Sequence, residues 1–448
     1  MKKTCVVLRS GIALFLIFTF CLLPCLSLTA SATEFPAVVG ASNAYLYNFE
    51  SDRVLICQSS GGLIAPGATV KIMSGLLALR LLEGRQEEQV TITNEMLFGV
   101  EGYTIRLEAG MTLKIRDLLY GLICGGGNDA AHVLAVLSCG SVEAFVEQMN
   151  AQARDWGCTQ TNYANPTGID DPRMVTTLAD TVTIANKAIE NETFMEMCSI
   201  ASYAYTLAGA EDSTVFYNRN AQISTYTGEG YQNRFVKGLN AGMTDRSGYC
   251  VVSYATNGTE RYLCIIMGAL KTSAGIMSYV NANNLLNRLF SNYSYQQIAK
   301  KNDVVYSAPI QNAQPQRGTK QPVVSCVLTE DLYGFVPQNI NTERDLEYRF
   351  YFHEDELGAP ITKGTILGGV DVYLSGEWIT GCPIAAAKDI EASFLLLFLS
   401  HMKTFFLSRG VLLSALFFII LLSTYLYYSS KKRKRKQIKT IMDIGGKK

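Results

Sequence analysis

The spacing of apolar positions changes character once along the chain, near residue 293. Before it, most apolar residues recur at helical intervals. After it, they alternate with polar ones, the period of half-buried strands. Residues 44–49 and 53–58 are β-formers around Glu50-Ser51-Asp52 and predict a hairpin. Pro66 then opens a helix in which Ile72, Met73, Leu76, Leu77, Leu79 and Leu82 leave few polar faces. A helix apolar on most sides is a central, buried one, and Gly84 is placed to end it. Residues 90–105 read as short strands and loops. A second helix is predicted over 113–122 with Thr112 as its cap. The run Gly125-Gly126-Gly127 makes a tight loop before a third helix at 130–137. Residues 141–156 are amphipathic, with Val142, Phe145, Val146, Met149 and Ala153 on one side. The stretch 162–171 is a loop around Asn165-Pro166-Thr167-Gly168, and 178–189 is another helix. Strands at 249–255 and 261–267 flank Asn257-Gly258, a strong hairpin signal. A helix over 276–290 closes this part.

Beyond it, strands are predicted at 304–306, 323–328, 346–352 and 365–373, with turns at Gly334, Pro337, Gly358-Ala359-Pro360 and Gly376. These make a small all-β domain ending near Ala387. The two ends of the chain are apolar. Lys2, Lys3 and Arg9, an apolar run over 12–28 and Ala30-Ser31-Ala32 read as a secretory signal; an uncleaved anchor helix is the alternative. Residues 394–407 are apolar but carry His401 and Lys403, a pattern suited to the membrane surface. Residues 411–428 are long and apolar enough to cross a bilayer. The basic run Lys431-Lys432-Arg433-Lys434-Arg435-Lys436 follows, so the positive-inside rule puts the tail in the cytoplasm and the folded domains outside. The predicted organisation is signal 1–32, a first domain 35–292, a β-rich domain 293–390, a membrane-proximal segment 391–410, a transmembrane helix 411–428 and a basic tail 429–448.

Composition narrows the function classes. Among 448 residues, 48% are hydrophobic and 17% charged, and the formal net charge is zero, which does not favour a nucleic-acid binder. The twelve cysteines are scattered singly without a C-x-x-C pair, and there are only three histidines. Neither pattern has metal-site spacing, so no metal and no cofactor is expected. The cysteines read mostly as buried small apolar residues, and no disulfide is specified.

Three short stretches carry the candidate chemistry: Ala68-x-x-Lys71, Gly126-Gly127-Asn128 and Asn240-Ala241-Gly242. Between and around them stand Gly99-Val100-Glu101-Gly102, Arg116-Asp117-Leu118-Leu119-Tyr120-Gly121, Asn128-Asp129-Ala130-Ala131, Asn165-Pro166-x-Gly168 and Gly242-x-Thr244-Asp245-x-x-Gly248-Tyr249. In this order the chain resembles the D-alanyl-D-alanine carboxypeptidases, the low-molecular-weight penicillin-binding proteins of bacterial cell-wall metabolism. Their motifs are S-x-x-K, S-x-N and K-T-G. The resemblance covers residues from about 44 to 270 and continues at Ala359-Pro360-Ile361-x-Lys363-Gly364. It implies the α/β (α+β) fold of the penicillin-recognising enzymes, an antiparallel sheet flanked by helices, followed by the β-rich domain.

The departures fall on the chemistry. The resemblance puts Ala68 where the family keeps its nucleophilic serine, and keeps Lys71, the base for that serine. It puts Gly126 at the proton-relay serine and keeps Asn128. Asn240 and Ala241 stand for the lysine and threonine that hold the substrate's terminal carboxylate; Gly242 is kept, and Thr244 follows as a weaker substrate-binding candidate. Losing the nucleophile of such a unit costs roughly a million-fold in turnover. The sequence therefore predicts a cell-surface pseudoenzyme that binds or scaffolds, with stem peptides or wall enzymes as partners. Residual carboxypeptidase activity is one alternative and would need a substitute among Thr69, Ser74 and Cys124. An envelope signalling protein acting through its tail is the other. Lys71 is expected as a buried lysine bonded to Asn128 and backbone carbonyls.

Overall fold

The computed structural model describes residues 35–227, 230–315 and 321–445. The predicted signal lies outside the described residues. The chain forms two compact units, one containing residues up to Gln296 together with Gly334–Asn341, the other formed by Gln297–Tyr333 and the residues from Thr342 onward.

The first unit is built on a five-stranded antiparallel sheet. Its strands are β1 (Asn43–Asn48) and β2 (Arg53–Gln58), then β7 (Val236–Thr244), β8 (Gly248–Thr256) and β9 (Arg261–Ala269), in the order β2-β1-β9-β8-β7. The central strand β9 is buried on both faces because its side chains alternate. Leu263, Ile265 and Met267 join one core cluster, and Cys264 and Ile266 the other. The first cluster is covered by the helices α1 (Val70–Leu81), α2 (Ile115–Ile123), α3 (Asn128–Cys139), α4 (Val142–Asp155), α5 (Leu178–Ile189) and α6 (Glu192–Ser199). The second is closed by α7 (Met277–Asn292) through Leu285, Leu286 and Leu289.

Helix α1 lies in the middle of this layer, as its all-round apolar sequence predicts, with Ile72, Met73 and Leu77 buried. Gly75 lets it sit against α2 and α6: a Cβ there would come within 2.9 Å of Ile123 and 3.0 Å of Phe194. Leu77→Ala in such a core typically costs about 2–5 kcal/mol. The turn predicted at Asn257-Gly258 is present: Asn257 Oδ1 accepts from Thr259 N and Glu260 N, and Gly258 takes φ 99°.

Several local expectations are corrected. Thr112 does not cap α2; it starts β4 (Thr112–Lys114), which pairs with β3 (Gln89–Thr91). The cap position falls to Lys114, whose N–H is taken by the Asp117 carboxylate at 3.0 Å, so an acidic residue inside the first turn closes the helix. Helix α3 begins at Asn128, two residues earlier than predicted. Helix α6, the strand β7 and the hairpin of β5 (Ser202–Thr206) and β6 (Ser213–Tyr217) were absent from the sequence reading. The segments of α6, β5 and β6 are short, and β7 mixes glycine, asparagine and alanine with apolar residues, so neither period stands out.

The second unit holds another five-stranded antiparallel sheet, of β10 (Val304–Pro309), β11 (Val323–Leu328), β12 (Leu346–Phe352), β13 (Ile366–Leu374) and β14 (Glu377–Ala386). The order is β10-β11-β14-β13-β12. β14 had no counterpart in the sequence reading. Helices α8 (Phe394–Leu407) and α9 (Arg409–Gly445) follow. Residues 409–433 form a helix of 25 residues with none of its apolar window buried, which is compatible with a membrane anchor.

Candidate functional site

Ala68, Lys71, Gly126, Asn240, Ala241 and Gly242 line one cavity of about 110 Å3 in the first unit. The sequence separates these residues by more than 170 positions, and the fold brings them together at the N-terminal end of α1. Pro66 starts a single 3-10 turn, Gly67–Thr69, that leads into the helix. Gly67, at φ 51°, is pressed between two neighbours: a Cβ there would overlap Ser247, and the Gly168 Cα faces its carbonyl. Gly242 lets β7 pass close to the turn, since a Cβ on it would fall within 2.4 Å of the Ala68 methyl. The retained glycines thus keep β7 and the 165–168 loop against the turn that bears Ala68.

Lys71 reaches the cavity one helical turn later. Its Nζ donates to the Thr167 carbonyl at 2.7 Å. That carbonyl is held by Asn165, whose Oδ1 accepts from Thr167 N and Gly168 N. Burial, then the nearby positive charge of Arg219, pull the Lys71 amine down to about 8. The bond expected between Lys71 and Asn128 is not made. Asn128 turns its amide toward the Glu101 carbonyl at 2.8 Å, and its Oδ1 is buried without a partner. Asn240 Oδ1 is likewise buried and unpartnered. Asn128 and Thr244 stand outside the cavity lining. Thr244 Oγ1 instead donates to Asp170 at 2.7 Å and accepts from Ser247 N at 3.1 Å, tying the β7–β8 turn to the 165–171 loop.

Hydroxyls and thiols near the turn are already committed. Thr69 Oγ1 donates to the Pro66 carbonyl, and Ser74 Oγ to the Pro166 carbonyl, both at 2.7 Å. Cys124 does line the cavity, but burial pushes its thiol up to about 12. A thiol at that value carries almost no thiolate near neutrality, so it is a poor nucleophile.

The sequence reading missed Arg219 and Tyr103, which also line the cavity. The Arg219 guanidinium lies 4.2 Å from the centre of the Tyr103 ring, a cation–π contact. Its backbone is fixed on both sides by asparagines that are almost fully buried: Asn218 donates to the Cys198 and Ile200 carbonyls, and Asn220 Oδ1 accepts from Gln222 N. The available signal was the triplet Asn218-Arg219-Asn220, a cation bracketed by turn-forming residues just after a β-run. With Lys71 and Arg219 in its wall and no carboxylate among its lining residues, the cavity is electropositive. It can hold a small anion; at 110 Å3 it is well below the 300–1,000 Å3 usual for ligand pockets.

Residues 29–271 match the family model of peptidase S11, D-alanyl-D-alanine carboxypeptidase. Residues 293–392 match that of the penicillin-binding protein 5 C-terminal domain. The chain is 26% identical over 364 residues to D-alanyl-D-alanine carboxypeptidase DacF of Bacillus subtilis, covering 81% of this chain and 88% of the relative. It is 24% identical over 386 residues to DacA of Escherichia coli, covering 84% and 90%. The crystal structure of D-alanyl-D-alanine carboxypeptidase DacD from Francisella tularensis shares the fold, with a TM-score of 0.56 at 22% identity over 81% of this chain and 97% of that one.

Proposed function

The chain belongs to the D-alanyl-D-alanine carboxypeptidase family, and from that premise we propose that it is a membrane-anchored, extracytoplasmic member that has lost catalysis and acts on the cell wall by binding. The observation that carries this reading is the methyl group of Ala68 at the tip of the turn before α1, packed on Gly242 in a cavity whose only thiol is held near 12. A methyl group cannot attack a carbonyl, and Lys71 then has no hydroxyl to deprotonate. The second loss compounds the first. Where the family holds a substrate carboxylate, Asn240 offers an amide and Ala241 nothing; removing such a charged anchor costs about 2–5 kcal/mol of binding. The cation left at the cavity mouth, Arg219, supports anion binding without supplying a nucleophile.

Helix α9 supports the anchoring part of the reading. Its apolar stretch precedes the basic run at 431–436, which favours a cytoplasmic tail and external folded units.

The test is intact-protein mass spectrometry of the full chain in detergent after incubation with a penicillin. No mass increment is expected on the natural protein. A covalent adduct on it would overturn the inactive reading, and peptide mapping would name the substitute nucleophile.

A further inference from the structure

Beside the small cavity, and sharing Tyr103 and Arg219 with it, lies a second one of about 360 Å3 that none of the family motifs lines. Its size falls within the range of ligand pockets. One wall is the segment that carries Tyr103 and Arg106; the other is the outer part of the β5–β6 hairpin with Val215 and Tyr217; Tyr226 closes the end.

This groove is built, not incidental. The buried Asp129 carboxylate accepts from Ile105 N at 3.0 Å and from Leu107 N at 2.9 Å. These two bonds clamp the backbone on either side of Arg106, which takes φ 66°, a left-handed conformation unfavourable for a side chain of this kind. Arg106 is exposed into the groove and forms no ion pair among the described residues. On the opposite side, Phe216 is buried against Tyr205 at 4.2 Å between ring centres, which fixes the hairpin. Alternation along β6 then sends Val215 and Tyr217 outward. Tyr217 stacks on Tyr226 with ring centres 4.1 Å apart and planes 10° from parallel. Tyr226 is still 67% exposed, so its outer face is in water.

The groove therefore offers two guanidinium groups without a carboxylate in the lining, and a tyrosine pair presenting a flat face. Guanidinium forks suit carboxylates in bidentate geometry. Exposed tyrosine faces, negative at the π surface, suit the polarised C–H groups of a sugar ring. We propose that this groove holds a carboxylate-bearing amino-sugar strand, the peptide-free glycan of the wall, with Arg106 and Arg219 on the carboxylates and Tyr226 under a ring. The assignment rests on the cell-wall reading above and adds the ligand class: glycan in place of stem peptide. Continuity through Arg219 and Tyr103 means that the strand carboxylate held by Arg219 also faces the electropositive small cavity.

The experiment is a binding titration of the full chain in detergent against three probes: muramyl glycan strands freed of peptide, a neutral N-acetylglucosamine oligomer, and a polyglycerol phosphate. The muramyl strands are expected to bind most tightly. Arg106→Gln and Tyr226→Ala, both at exposed side chains, are each expected to weaken that binding about tenfold or more. Equal affinity for the neutral oligomer, tighter binding of the polyglycerol phosphate, no binding of the muramyl strands, or unchanged affinity in both variants would overturn the proposal. Penicillin labelling of the same samples keeps the two readings separate: an adduct on the natural protein overturns the inactivity alone, and failed glycan binding without an adduct overturns the groove alone.

Discussion

Lys71→Met is the variant that asks what the retained lysine does now. The amine sits at about 8 in the folded chain against an ordinary value of 10.5, mainly because burial disfavours the cation. That lowering corresponds to roughly 3 kcal/mol of folding stability withheld while the lysine is protonated in both states. The amine can donate to the Thr167 carbonyl in either protonation state, a bond worth about 0.5–1.5 kcal/mol, so it offsets only part of this and leaves the titration where it is. At pH 7, Lys71→Met is therefore expected to stabilise the fold by about 2 kcal/mol. The pH dependence separates the contributions. Between pH 8 and 10.5 the unfolded chain keeps its Lys71 proton and the folded chain has released it, so the unfolded state binds more protons and stability rises with pH. Relative to Lys71→Met, the natural protein should gain about 1.3 kcal/mol between pH 7 and 9, approaching about 3 kcal/mol by pH 10.5. Buried thiols such as Cys124 and Cys158 pull the opposite way, because they stay protonated in the fold after the unfolded chain has lost those protons. They are present in both proteins and cancel in the difference. Denaturant unfolding followed by fluorescence measures it, with Trp378→Phe in both proteins so that Trp156 of the first unit reports. A difference that stays flat from pH 7 to 9 would refute the claim that Lys71 is a desolvated amine.

Asp129→Ala should destabilise the first unit by about 3 kcal/mol or more, because two clamped backbone N–H groups, Ile105 and the buried Leu107, lose their acceptor; thermal unfolding checks this. Alkylation followed by peptide mapping at pH 8 should modify the exposed Cys57 well before Cys124, whose thiol is held near 12. Reaction at Cys124 first would mean that the cavity activates it.

The strongly periodic elements were legible in the sequence, and the weakly periodic ones were not. Helix α1 announces itself through apolar residues on nearly every face, and the β8–β9 hairpin through Asn257-Gly258. The hairpin β5–β6 does not, because only Tyr205 and Phe216 are buried and Tyr203 packs on Tyr120 while still partly exposed; its remaining positions face water. The positions singled out by the resemblance include Ala68, Lys71, Gly126 and Asn240–Gly242, which line one cavity, and Asn128 and Thr244, which do not. Arg219 was not legible, because its place is set by buried asparagines and by a tyrosine 116 residues away. A contact of that kind leaves no local period. Thr244 shows the converse: a motif position whose side chain is occupied with Asp170 and Ser247.

The substitutions at the site are structurally linked. Gly126 takes φ 68°, and a Cβ on it would lie 2.9 Å from Arg219 Cγ. A serine there would meet the arginine stem, which cannot swing aside as the far end of the side chain can, and would also hold a left-handed backbone at a cost of about 1–2 kcal/mol. Glycine at 126 is thus what allows Arg219 to lie across the cavity mouth on Tyr103. The glycine at 126 and the placement of the arginine are therefore coupled. With the arginine there, its side chain lines both the small cavity and the tyrosine-lined groove next door. The aliphatic stem of Arg219 thus occupies the space that a side chain at 126 would need, while its guanidinium lies on Tyr103 and its backbone is fixed between buried asparagines.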